Sequence, residues 1–65
     1  MGYNEQGFSQ EGEDFIAAYQ LISGVERKEA EKVLLDCENA IAGRYMMGQS
    51  AQFIAEKIWA IYKEG

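Results

Sequence analysis

The sequence has no histidine, no proline and one cysteine, and no apolar run in it is long enough to cross a membrane. Without histidine there is no Ser-His-Asp or Cys-His triad, no usual acid–base group near neutral pH, and few of the ligand sets that hold zinc or di-iron. A lone cysteine builds neither a disulfide framework nor a thiolate metal site. Cys37 falls among apolar positions, where a small buried hydrophobe is the expected role rather than a reactive thiol. With no proline and 48% hydrophobic residues, the chain is too apolar to be disordered throughout. Strand signals are missing too, since no alternating run of β-branched residues is bounded by turns. P-loop, dinucleotide and calcium-loop patterns are likewise missing, so no cofactor or metal is expected.

What is present is helical. From Val25 to Met47 the chain carries one amphipathic pattern about six turns long. Wound at roughly 100° per residue, Ala30, Val33, Leu34, Cys37, Ala40, Ile41 and Tyr45 gather on one face. Glu31 and Glu38 border that face on one side, Glu29 and Asp36 on the other. Opposite lies a second, narrower seam of Leu35, Ala42 and Met46, a stripe of the kind that pairs helices. Gly43, near the end of this pattern, predicts a bend or the close approach of another backbone.

A shorter helix is expected to start after Ser9, whose hydroxyl suits an N-cap, with Glu11, Glu13 and Asp14 complementing the positive end of the dipole. Phe15, Ala18, Tyr19 and Ile22 form its main face, with Ile16 and Leu21 on the flanks. Gly24 ends it, and Ser23-Gly24-Val25-Glu26 has the spacing of a capping box for the next helix. Arg27–Glu31 and Lys32–Asp36 have the i, i+4 spacing of ion pairs. Gly48 is the next stop signal, and Ser50 caps a last helix in which Ala51, Ile54, Ala55, Ile58, Ile61 and Tyr62 form the buried arc with Trp59 at its edge. Phe53 falls on the opposite side, beside Lys57. The expected fold is all-α: a small three-helix domain over 9–65 with a long central helix, preceded by a short N-terminal arm over 1–8.

Eleven acidic residues against six basic ones leave a net charge of −5. That disfavours nucleic acid, whose affinity comes from cations neutralising phosphates, and favours a basic protein surface. Ala40 to Ile58 does read as helix, glycine-containing turn, helix, the layout of a helix-turn-helix. Its second helix, however, opens Ser50-Ala51-Gln52-Phe53, with Lys57 and Lys63 as its cations. Gly24-Val25, Glu29-Ala30 and Leu34 resemble the first half of a ubiquitin-associated domain, where a glycine–hydrophobe pair is followed by alanine and leucine. The likeness ends at Cys37-Glu38-Asn39-Ala40, where that family has a longer polar loop and this chain keeps its helical pattern, so ubiquitin binding is not carried over.

These observations point to a non-enzymatic protein-binding regulator or inhibitor that occupies a partner's surface. Its contact residues are expected among Glu31, Leu35, Glu38, Ala42, Met46 and Phe53. Small acidic proteins of this kind are common among bacterial and phage regulators, including inhibitors of nucleic-acid-handling complexes such as anti-CRISPR proteins. A homodimeric helix-turn-helix regulator and a structural subunit of a larger assembly are the alternatives. One lone cysteine and the lack of a signal peptide or membrane span give a cytoplasmic setting as the expectation. The outer seam predicts an antiparallel homodimer, unless Tyr3 or Phe8 of the arm covers it within one chain.

Overall fold

Ser9 stands in extended backbone and its Oγ accepts the Gly12 N–H at 3.2 Å, which starts the first helix where an N-cap was expected. The computed structural model describes residues 8–64. Those residues form four α-helices and no strand: α1 (Gln10–Ser23), α2 (Arg27–Asp36), α3 (Glu38–Met46) and α4 (Ala51–Glu64). The arm expected over 1–8 lies outside the described residues, except for Phe8, which packs against the core.

The long central helix does not form as one piece. It divides at Cys37, where φ −112° and ψ 24° leave the helical well near −63° and −42°. Cys37 still donates to the Val33 carbonyl at 3.0 Å and accepts from the Ile41 N–H at 2.9 Å, so the break is one residue deep rather than a loop. Its physical basis lies in packing. α2 packs on α1, whereas α3 packs on α4, and a straight helix would keep one stripe on one neighbour. Asp36, Cys37 and Asn39 are all weak helix formers, which lowers the cost of interrupting the ladder here. The bend also turns Ala40 out to solvent, although the helical projection put it on the buried face. Gly43, where a bend was expected, sits in regular helix, and the space where its Cβ would stand is open.

α1 lies between neighbours, packing most extensively on α4 and then on α2. That explains why Phe15, Ile16 and Tyr19, spread over a wide arc of one helix, are all buried, Ile16 included despite its flank position. Leu21 takes no part and is 88% exposed. Phe15 stacks on Tyr19 with ring centroids 5.5 Å apart, and Tyr19 meets Trp59 of α4 edge-on at 5.9 Å. Ala30, Val33 and Leu34 of α2, Ile41 of α3, and Ile54, Ala55 and Ile58 of α4 complete the core.

The corners are set by short-range chemistry. Gly24 takes φ 80° and donates to the Gln20 carbonyl at 2.8 Å, a left-handed stop. The capping box proposed for this corner does not form. The Ser23 hydroxyl instead donates to the Tyr19 carbonyl at 2.6 Å and accepts the Val25 N–H at 3.3 Å, leaving Glu26 as an N-cap without a side-chain bond. Arg27 grips both Glu13 carboxylate oxygens at 3.0 and 2.9 Å and Glu31 at 2.6 Å, so one guanidinium fastens α2 to α1. These are the ion pairs among the described residues, and Lys32 and Asp36 do not form the pair their spacing suggested.

Gly48 at φ 88° closes α3. Its N–H goes to the Tyr45 carbonyl at 2.9 Å and that of Gln49 to the Arg44 carbonyl at 3.2 Å, the two bonds of a Schellman motif. Ser50 Oγ then accepts the Phe53 N–H at 3.2 Å to start α4. The buried arc of α4 is shorter than its periodicity implies, because the other helices leave the last turns uncovered. Ile61 is 61% exposed, and Tyr62 is exposed beside Cys37, with Sγ and Oη 3.7 Å apart.

Two sets of substitutions test this packing. Leu34→Ala and Ile58→Ala should each cost about 2–5 kcal/mol, whereas Ile61→Ala should stay within about 0.5 kcal/mol of the parent in thermal melts followed by circular dichroism. Gly43→Ala should stabilise by about 0.5–1 kcal/mol, because the backbone there is helical and the added methyl meets nothing. A destabilised Gly43→Ala protein would place a neighbour where the structure has none.

Candidate functional site

Gly12 is buried in the first turn of α1, and a Cβ there would stand 3.3 Å from Leu34 Cδ2 and 3.4 Å from Phe8 Cβ. Its bare backbone lets α2 come close to the start of α1. On the far side the Tyr45 hydroxyl donates to the Glu11 carbonyl at 2.9 Å, which pins the end of α3 to the same turn. Between these two contacts the bend at Cys37 leaves a groove of about 280 Å³. Leu34 and Ile41 are buried beneath it, Phe8 lines it from before α1, and Leu35 and Ala42 form the wall contributed by α2 and α3. Glu11 and Glu38 supply the charge, and among the described residues no cation lines it.

Three of the six residues expected to make contacts, Leu35, Glu38 and Ala42, therefore come together in one groove. Leu35 is 59% exposed, and Met46, one turn beyond Ala42 on α3, is 88% exposed. Glu31 lies elsewhere, half-buried and held by Arg27. Phe53 stands on α4 with Lys57 Nζ 5.2 Å from its ring centroid, an arrangement that satisfies both within one helix. Tyr45 was expected on the core face and Phe8 as a cover for the seam, but helical projection did not join them to Glu11 and Gly12, which enter the groove from the start of α1. A glycine three residues after an N-cap serine, inside a helix that otherwise favours side chains, is the one signal that marked the spot.

A second hollow of about 290 Å³ lies between Ala17, Ala18, Leu21 and Ile22 of α1 and Gln52 of α4, with no charged side chain in its lining. Among the described residues, no three His, Cys, Asp or Glu side chains are grouped to hold a metal, and no helix is long and apolar enough to span a membrane. Among the described residues, charged side chains all stay at the surface or half-buried.

Three phenols are held in their neutral form. The contact with Cys37, then burial, and then the nearby charges of Cys37 and Asp36 push Tyr62 up from 10.0 to about 12. Tyr19 is raised by burial first and then by Glu29, and Tyr45 by burial first and then by Asp14 and Glu11. The sequence matches no family model and no curated protein, and no solved structure matches the chain.

Raised phenol values carry a pH dependence of fixed sign. A tyrosine whose folded value exceeds its unfolded one adds stability that is whole below about pH 10 and disappears as pH rises through the folded value, about 12 for Tyr62. Phenolate absorbance should therefore climb above the usual tyrosine range, together with loss of the helical circular dichroism signal. Tyr45→Phe, which removes the bond to the Glu11 carbonyl, should lower the melting temperature at neutral pH and weaken the alkaline dependence. Ionisation of all tyrosines near pH 10 with the fold intact would contradict the packing around them.

Proposed function

We propose that this protein is a non-enzymatic binding module, a small acidic regulator or inhibitor that acts by covering part of another protein with the face formed by α2 and α3. The observation that carries this reading is the exposure of Leu35, Ala42 and Met46 along and beside a groove whose charges, among the described residues, are carboxylates alone. A domain of 65 residues has little core to spare, and apolar side chains left in water near a shaped hollow are what a contact surface requires. Net charge −5 directs that surface toward a basic partner, and inhibition of a nucleic-acid-handling complex fits the class, because such complexes present basic channels. Against catalysis stands the setting of the groove's two carboxylates: Glu11 and Glu38 are both exposed to solvent, whereas acid–base work calls for groups held in a cleft.

A helix-turn-helix reading draws on α3, the Gly48 corner and α4, which have the required order. The first two turns of α4 nonetheless present Gln52, Phe53 and Glu56 to solvent, and the first cation on that helix, Lys57, sits over the Phe53 ring.

Capture of host proteins on the immobilised chain, compared with Glu38→Lys and Leu35→Glu, tests the proposal. Both variants should fold as the parent does and recover less of the same partner. The Glu38→Lys loss should be up to roughly fivefold in affinity and should shrink as salt rises, as an exposed charge contact of about 0.2–1 kcal/mol implies. Unchanged capture by both variants would refute the assignment of this face. A gel shift with DNA that Glu38→Lys strengthens would support the helix-turn-helix reading instead.

A further inference from the structure

We propose that the groove between the start of α1 and the α2–α3 bend receives an apolar side chain from a basic amphipathic helix of the partner protein. The proposal rests on the protein-binding reading above and adds where the contact is made and what chemistry the partner brings. Size is the first argument. At about 280 Å³ the groove lies just below the range of about 300–1,000 Å³ typical of small-molecule sites, room for roughly one or two side chains rather than a cofactor. Its polar groups are the second. The Tyr45 hydroxyl donates to the Glu11 carbonyl and Ser9 Oγ accepts the Gly12 N–H, so each hydroxyl already holds a bond within the fold. What remains is an apolar floor of Leu34 and Ile41.

Charge supplies the third argument. With Glu11 and Glu38 at the groove and no cation among the described lining residues, an occupant is favoured that carries lysine or arginine beside its apolar group. A second copy of this chain brings five net negative charges to the same place, which opposes self-pairing. Periodicity is the fourth. Ala42 and Met46 are one turn apart on α3, so a helix laid along α3 would place one apolar residue in the groove and the next, four residues on, against Met46. The unbranched methionine adapts to whichever side chain arrives.

The probe is a synthetic helical peptide with leucines at i, i+4 spacing and lysines between them, titrated into the isotope-labelled full chain while amide resonances are followed. Expected are saturable shifts centred on Gly12, Leu35, Glu38, Ile41 and Ala42. Affinity should fall about tenfold in Ala42→Phe, which fills the groove from an exposed helical position, and severalfold in Glu38→Lys. A matched leucine–glutamate peptide should leave the spectrum unchanged. Diffuse shifts over all acidic surface, or equal effects from a serine–lysine peptide, would overturn the proposal, since charge alone would then account for binding. So would binding seen only after residues 1–7 are deleted, which would make the chain's own arm the occupant, or groove resonances that move with protein concentration alone, which would make it a second copy. Host-protein capture that survives Ala42→Phe but fails with Met46→Glu would sink the groove while leaving the binding-module reading intact. Loss of all host capture beside groove-specific peptide binding would do the reverse.

Discussion

Burial of one short segment of α1 between two other helices is the contact on which the rest of this fold depends. Phe15, Ile16 and Tyr19 span a broad arc, and no single neighbour covers them, so α2 and α4 must approach α1 from different directions. At about 1.5–3 kcal/mol for each fully buried large apolar side chain, these residues rank among the largest contributors that a domain of this size can hold. The bend at Cys37 is a consequence of that arrangement. Chain leaving α2 on one side of α1 must change direction before α3 can reach α4, and the groove is the space left inside the turn.

The helix ends were legible because they are local. Ser9 and Ser50 cap, and Gly24 and Gly48 take left-handed backbone, for reasons contained within four or five residues. The break at Cys37 was not legible in the apolar spacing, which runs through it without a phase error. It appears only once Ile41 and Val33 are required to face different partners. Asp36, Cys37 and Asn39 lowered the local helical preference without forcing a stop. The same limit applies to Ile61 and Tyr62: periodicity places them on the core side of α4, but how far the neighbouring helices extend decides whether that side is covered. Ser23 shows a third kind of miss. One hydroxyl had two competing local acceptors and donors, and the bond back to Tyr19 prevailed over the cap.

Part of the candidate site could be read from α2 and α3 alone, since Leu35 and Ala42 lie opposite the core stripe in helical projection and Glu38 borders it. The wall from the start of α1 could not, because Glu11 and Gly12 reach the groove only through the tertiary fold, and the Tyr45 bond to the Glu11 carbonyl joins residues 34 positions apart. A concave site needs two walls, and periodicity describes one wall at a time. Charge followed a similar division: the acid excess and the Arg27–Glu31 pair could be read from composition and spacing, whereas the reach of Arg27 across to Glu13 and the place of Glu38 at the groove needed the geometry.

The pairing of α1 with α4 also governs how the protein comes into being during translation. Phe15 must wait for Ile58 before the core can close, and at about 5–20 residues per second that interval is roughly 2 to 9 seconds. Within it, once α2 has been made, the most apolar turn of α1 has only α2 to cover it. A newly made chain is therefore at its most exposed to chaperones and to other nascent chains just before its last helix emerges. Any substitution that strengthens the α1–α2 contact, where Arg27 already clasps Glu13, protects it during that wait.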